Sequence, residues 1–255
     1  MMDNSLLKNI DNPKITVVTV CFNAAKTLEK TIQSVINQTY NNIEYIIIDG
    51  ASTDGTLDII KKYKYRISYW KSEPDKGIYD AMNKGIKAAT GEWINFMNAG
   101  DMFADKNVLK NIFERDLYEY GVIFGAWFLI YKKHKRILKP FPFFENKNKY
   151  KEMGFSHQSV FVKTKFAYKY MFDTALKICA DYYMIWNLYY KENVIFHNVE
   201  IPISIMDEQT GATIANYELH CKEIAFICGC SISKFYLSWI VFVHRIKRFT
   251  KRCIW

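Results

Sequence analysis

No segment of the 255 residues is low in complexity, and no internal repeat appears at solenoid spacing. Half the residues are hydrophobic and 16% are aromatic, which excludes a disordered chain and leaves room for one well-filled core. The six cysteines show no disulfide framework. Cys228 and Cys230 stand too close for zinc spacing, and no His/Cys cluster accompanies them. Buried or free thiols in a reducing compartment are the expectation. There is no Ser-His-Asp order, no nucleophile elbow and no glycine-rich phosphate loop, which weakens hydrolase and ATPase readings. The N-terminus lacks the basic stretch and apolar run of a secretion signal, so the folded part is expected in the cytoplasm.

Acid is scarce in two places. Net charge is +9, with eight Lys/Arg against one acid between Tyr131 and Lys151, and five basic residues and no acid between Arg245 and Arg252. No helix-turn-helix, zinc-finger or RNA-binding signature accompanies this charge, so a nucleic-acid partner is not expected. Anionic headgroups or a diphosphate-bearing acceptor suit it, as does plain solvation.

The first hundred residues alternate strand and helix. Ile15–Cys21 is a continuous, mostly β-branched run and Ile43–Ile48 a second, largely apolar one, as strands buried on both faces require. Between them Leu28, Ile32, Val35 and Ile36 mark one helical face. Further strands are predicted at Arg66–Trp70 and Glu92–Met97. Helices are predicted from Leu57 and over Ile78–Ala89, with Ile78, Met82, Ile86 and Ala89 inward. This order predicts an α/β fold with a mostly parallel central sheet. Beyond it, strands are predicted at Val122–Tyr131 and Gln158–Lys163 and a helix at Ala180–Tyr190, with Met184, Ile185 and Leu188 inward.

In parallel sheets ligands sit at the carboxyl ends of strands. Polar clusters at Asn23, Asp49 and Asn98–Asp101 all fall there. Asp101, after Ala99-Gly100, suits a hard divalent cation held against phosphates, or else caps the next helix. Asp49 can meet a nucleobase or ribose, or order its own loop as an Asx turn. Asp181 opens a helix and is either an N-terminal stabiliser or a catalytic acid or base. His157-Gln158 precedes a strand, where a histidine is more often structural.

Several segments are distinctive in combination and order: Ile15-Thr-Val-Val-Thr-Val-Cys-Phe-Asn23, Gln38-Thr39, Ile48-Asp-Gly-Ala-Ser-Thr-Asp-Gly-Thr56, Asp75-Lys-Gly-Ile-Tyr-Asp-Ala-Met-Asn-Lys-Gly85, Gly91-Glu-Trp-Ile-Asn-Phe-Met-Asn-Ala-Gly-Asp101 and Ala180-Asp181. Through them the chain resembles the family-2 glycosyltransferases of GT-A fold, especially bacterial enzymes of surface-polysaccharide assembly. The resemblance implies donor contacts from Thr19, Asn23, Asp49, Asn83, Asn98 and Gly100, a divalent metal (Mn2+ or Mg2+) on Asp101, and Asp181 as general base. The family's frequent Asp-Asp pair stands here as Asp49-Gly50. Its Asp-x-Asp motif stands as Asn98-Ala-Gly-Asp101, and Ala180 replaces the acid before the base.

The implied reaction is inverting transfer from a nucleotide-diphosphate sugar, UDP-linked, to an acceptor hydroxyl. The acceptor is expected to be a lipid-linked saccharide in surface-polysaccharide or O-antigen assembly. One base and no enzymic nucleophile imply a single displacement. A degenerate GT-A domain that binds nucleotide sugar or glycan without turnover is the alternative, and a nucleotidyltransferase the third.

Residues 1–210 are expected to form the GT-A domain and 211–255 a helical tail. Ile224–Val243 has the length of a span but is interrupted by Lys234. Peripheral attachment to the inner membrane face, with Phe235–Val243 in the interface and Arg245–Arg252 on anionic headgroups, is preferred over core or homodimer packing.

Overall fold

A computed structural model describes residues 12–131, 134–140, 154–207 and 216–229, with isolated positions at 233, 238, 241 and 242. Most of the two basic segments, Phe235–Val243, Cys230 and Cys253 lie outside the described residues.

Nine strands form one sheet. They are β1 (Ile15–Cys21), β2 (Ile43–Asp49), β3 (Tyr69–Ser72), β4 (Trp93–Phe96), β5 (Met102–Phe103), β6 (Val122–Tyr131), β7 (His134–Leu138), β8 (Val160–Lys163) and β9 (Phe196–Asp207). Their order is β3-β2-β1-β4-β8-β6-β9-β5, with β7 hydrogen-bonded to β6. The helices are α1 (Leu28–Ile36), α2 (Thr56–Lys62), α3 (Ile78–Ala88), α4 (Val108–Phe113), α5 (Thr164–Lys169), α6 (Ala180–Tyr190) and α7 (Tyr217–Ile227).

β3, β2, β1 and β4 run parallel; antiparallel pairing enters where β8 meets β4. The parallel half carries the largely apolar runs because helices cover both of its faces. Side chains alternate between two cores. Val18, Val20, Ile46, Ile48, Ile94 and Phe96 face the layer of α3 and α6, whereas Ile15, Val17, Tyr45, Ile47 and Trp93 face that of α1 and α4. Burying each large apolar side chain contributes about 1.5–3 kcal/mol. A one-residue slip would exchange the two cores, so the register is tightly specified. It aligns Cys21 with Asp49 and Asp49 with Ser72, bringing three strand ends together.

Two local expectations shift. Arg66 ends a 3-10 turn, and the third strand starts at Tyr69. The reason is tertiary: Ser68 closes onto Tyr45 at both its backbone N–H and its hydroxyl, and β3 then follows β2. In α3, Ile78 is 46% exposed and Tyr79 is buried in its place. The inward phenol is fixed by hydrogen bonds to Ile178 and Asp181.

The described part of the C-terminal segment begins with α7. Its Ile224, Ile227 and Cys228 lie in the same buried cluster as Tyr182, Ile185 and Leu188 of α6. Among the described residues no helix is long and apolar enough to cross a membrane. The four described cysteines, Cys21, Cys179, Cys221 and Cys228, are buried thiols outside any disulfide.

Candidate active site

Asp101 sits on a tight turn one strand-end away from β1. Its N–H donates to Asn98 O at 2.9 Å, and Gly100 takes φ +107°, a conformation that favours glycine. Thr31 of α1 pins this turn: its hydroxyl accepts from Gly100 N at 2.9 Å and donates to Asp101 O at 2.8 Å. The Asp101 carboxylate accepts from Gln158 Nε2 at 2.8 Å.

Asp181 lies in the first turn of α6, where the helix N-terminus favours negative charge. Its side chain is 14% exposed, and its Oδ2 stands 2.9 Å from His157 Nδ1. Oδ1 accepts from Tyr182 N at 2.8 Å and from the Tyr79 hydroxyl at 3.2 Å. That hydroxyl also reaches Ile178 O at 2.5 Å. His157 Nε2 is 3.2 Å from Asn98 Nδ2. Consecutive residues, His157 and Gln158, therefore tie together two acids that lie eighty positions apart in the chain.

The electrostatics of the pair are mutual. Burial pushes the Asp181 carboxyl up. The bond and charge of His157, the Tyr182 N–H and the Tyr79 hydroxyl outweigh it and hold Asp181 below the usual carboxylate range. Burial pushes His157 down, but Asp181 and then Asp101 raise it above an ordinary histidine. Behind the pair is a cavity of about 30 Å³ whose other walls, including Met82, Phe96, Phe172 and Met184, are apolar. Such a wall strengthens the ion pair by keeping the local dielectric low.

The other anticipated residues fall into two groups. Asn23 is exposed at the end of β1 with φ +48°, and it ties its loop to the next one, accepting from Thr53 N at 2.9 Å. Asn98 and Gly100 belong to the Asp101 turn. Thr19, Asp49 and Asn83 are engaged inside the protein. The Thr19 hydroxyl donates to Met97 O at 2.8 Å and meets Tyr45 Oη at 3.0 Å. Asp49 is 0% exposed, its carboxylate accepting from Ser52 N at 2.9 Å, Ser52 Oγ at 2.5 Å and Ser72 Oγ at 2.6 Å. Asn83 exchanges two 2.8 Å bonds with the Phe172 backbone. All three polar side chains are therefore engaged with other parts of the protein.

Sequence reasoning passed over Tyr79 and treated His157 as structural. The one available signal was their place in or beside the quoted motifs. Asp75 was also missed. A Cβ on Gly50 would lie 2.6 Å from Asp75 Oδ2 and 3.4 Å from the exposed ring of Phe22. The Asp75 carboxylate thus occupies the space beside Gly50, where the second acid of an Asp-Asp pair would start.

Among the described residues no three His, Cys, Asp or Glu side chains form a self-sufficient metal site. Asp101 nevertheless fits a cation shared with a ligand. Mg2+-like ions are held by one or two carboxylates plus substrate phosphates. Asn98, in the same turn, has a buried Oδ1 with no hydrogen-bond partner among the described residues.

Polar side chains at the carboxyl ends of a parallel half-sheet, joined to an acid on a later helix, stand where α/β proteins of this architecture take their ligands. Residues 16–172 match the family described as Glycosyl transferase family 2, and the chain belongs to that family. It is 39% identical over 103 residues to an uncharacterised glycosyltransferase of Mycobacterium tuberculosis, covering 40% of this chain and 39% of that one. It is 26% identical over 211 residues to a cholesterol galactosyltransferase of Borreliella burgdorferi, covering 80% and 58%. The chain thus spans about two fifths to three fifths of the length of these curated relatives. Among solved structures, S. aureus TarS 1-349 with UDP-GlcNAc aligns with TM-score 0.66 and 17% identity over 88% of this chain and 69% of that one. The mannosyltransferase PcManGT of Pyrobaculum calidifontis, with GDP-Man and Mn2+, aligns with TM-score 0.62 and 14% identity over 82% and 61%. The fold is GT-A.

Proposed function

We propose that this chain is an inverting glycosyltransferase that moves a sugar from a nucleotide-diphosphate sugar, UDP-linked, to an acceptor hydroxyl. The observation that carries the reading is the convergence of Asp101 and Asp181 on the His157–Gln158 dipeptide. Asp181, held as a carboxylate, takes the acceptor proton while the hydroxyl oxygen bonds to the anomeric carbon. The diphosphate leaves from the opposite face with the bonding electrons, and the anomeric configuration inverts. His157 keeps Asp181 ionised and aimed. Asp101 is the residue that would hold Mn2+ or Mg2+, which when bound neutralises charge on the leaving diphosphate.

Support for a uridine donor is the likeness to a protein solved with UDP-GlcNAc. Thr19, Asp49 and Asn83 serve on this reading by holding the walls, while Asn23, Asn98 and Gly100 border the donor.

The acceptor is a lipid-linked saccharide, in keeping with the basic segments and with a relative named for cholesterol. Residues 1–210 are the transferase domain. The tail from residue 211 contributes α7 to its core and then continues as a basic, aromatic segment that lies on the inner face of the membrane. A chain truncated after Gly229 should no longer pellet with anionic vesicles at low salt; undiminished pelleting sinks the membrane assignment.

The activity is tested by UDP release from a panel of UDP-sugars with Mn2+, comparing the intact protein with Asp181→Ala. Equal release from both would overturn the reading.

A further inference from the structure

Glu223 is an acid buried on α7, 7% exposed, and it belongs to no motif quoted above. A buried carboxylate is costly unless its oxygens are satisfied. Here three consecutive backbone N–H groups satisfy them. Lys177 N donates to Oε1 at 2.7 Å, and Ile178 N and Cys179 N donate to Oε2 at 3.0 and 2.8 Å. Cys179 is the residue before α6, and it makes no side-chain cap of its own. Glu223, from more than forty positions away, therefore supplies the acceptor that Cys179 does not, beside the Asp181 carboxylate already in the first turn.

Asp181 stands two residues beyond the clamp. The same stretch is held from its other side: Ile178 O accepts the Tyr79 hydroxyl that also contacts Asp181. Two further contacts join α7 to this segment. Cys179 Sγ lies 3.2 Å from His220 Nδ1, and Tyr182 Oη lies 3.5 Å from Cys228 Sγ. The backbone that leads into Asp181 is anchored on α7.

We propose that Glu223 is a positioning residue: through the 177–179 backbone it fixes where the Asp181 carboxylate points, making α7 part of the transfer apparatus. This rests on the reading of Asp181 as the base.

The test uses the full chain with Glu223→Gln, which keeps the volume but replaces one acceptor oxygen by a donor. UDP release with Mn2+ is measured per UDP-binding site, so that unfolded protein is not counted. We expect kcat per site to fall about 10- to 100-fold, as for a small misplacement of a catalytic group. UDP affinity and the donor KM should stay within about threefold. The His157 imidazole, followed by NMR, should titrate closer to a free histidine as its partner drifts. Unchanged kcat per site together with unchanged His157 titration would overturn the proposal. So would a loss of UDP affinity matching the loss of rate.

If Glu223→Gln does not fold, Glu223→Asp and amide hydrogen exchange in the unaltered protein replace it. Rapid exchange at Ile178 and Cys179 refutes the clamp. Asp181→Asn in the same assay separates the two ideas: an active variant removes the base reading, whereas an inactive one beside a fully active Glu223→Gln removes only the positioning role.

Discussion

Asp181→Asn is the substitution that separates chemistry from scaffolding most cleanly. The two side chains have nearly the same shape, so the cavity behind them is unaltered. What changes is the ability to take a proton. A positioned general base is worth about 100- to 10,000-fold, and kcat should fall by that factor, equivalent to about 2.7–5.5 kcal/mol of barrier. The stability change should be far smaller. The new carboxamide can still accept through its oxygen from Tyr182 N and Tyr79, which now meet Oδ1 at 2.8 and 3.2 Å. Its nitrogen would face His157 Nδ1, so that ring nitrogen must become an acceptor and the imidazole proton must move to Nε2. There it faces Asn98, whose amide can turn its partnerless Oδ1 towards the ring. Exchanging a charge-assisted bond (about 1.5–3 kcal/mol) for a neutral one (about 0.5–1.5) leaves a cost of about 1–2 kcal/mol. That is a drop of about 2–8 °C in Tm for a chain of this size. UDP release and thermal unfolding, measured on the same preparation, check both halves. Retention of more than a tenth of wild-type kcat in a folded variant would refute the base assignment. A collapse of the fold would refute the rearrangement just described.

Four further outcomes are expected. His157→Gln removes the cation that depresses Asp181 and leaves burial dominant, so the acid limb of the kcat/KM profile should move to higher pH; an unmoved limb would count against the pair. In the unaltered protein the raised His157 contributes stability below about pH 6.5 that is lost as pH rises through its folded pKa, and the depressed Asp181 contributes above about pH 3.8, lost as pH falls through its own; unfolding midpoints against pH should therefore be highest between these limits. Asp101→Asn keeps an acceptor for Gln158, so the fold should persist while the Mn2+-dependent part of the UDP-induced rise in Tm disappears; a full rise would clear Asp101 of metal binding. Glu44, at the other end of the sheet, accepts from Thr16, Thr90 and Lys14 and sits at a pKa of about 2 despite burial. Glu44→Gln should cost on the order of 3 kcal/mol at pH 7, with the difference from wild type vanishing as pH falls from about 4.5 through 2, as denaturant titrations across pH would reveal.

The parallel half of the fold was legible because one physical constraint wrote it. Strands covered on both faces must be mostly apolar and β-branched or aromatic, and β1, β2 and β4 are, their few polar side chains being buried and hydrogen-bonded. The helices expected over 78–89 and 180–190 followed from apolar spacing, and they run over 78–88 and 180–190. Edge positions were less legible. β3 alternates between exposed and half-buried residues, and its start is set by Ser68 bonding to Tyr45, a pairing with no local signature. The inward turn of Tyr79 in place of Ile78 has a similar origin. Apolar periodicity favours isoleucine inside, but a phenol that finds Ile178 O and Asp181 loses nothing by burial.

In the candidate site, the two acids could be named from motifs, but their junction could not. His157 and Gln158 become informative only when β8 is laid antiparallel to β4, which swings the preceding dipeptide across the ends of the strands. Gly50 shows the same dependence from the opposite side. Read along the chain, glycine at this position is a missing acid. Read in space, a carboxylate is already there, because Asp75 approaches from the loop after β3 and bonds to Gly77 N at 2.8 Å. The Cβ of an acid at position 50 would fall 2.6 Å from Asp75 Oδ2, so Asp75 would have to shift, with a second carboxylate close by. Gly50→Asp should accordingly be about 1–2 kcal/mol less stable than wild type at neutral pH, through the lost Gly77 bond and the repulsion, as denaturant titration would measure. A variant as stable as wild type at neutral pH would show that Asp75 has somewhere else to go, and that the glycine reflects no conflict between the two.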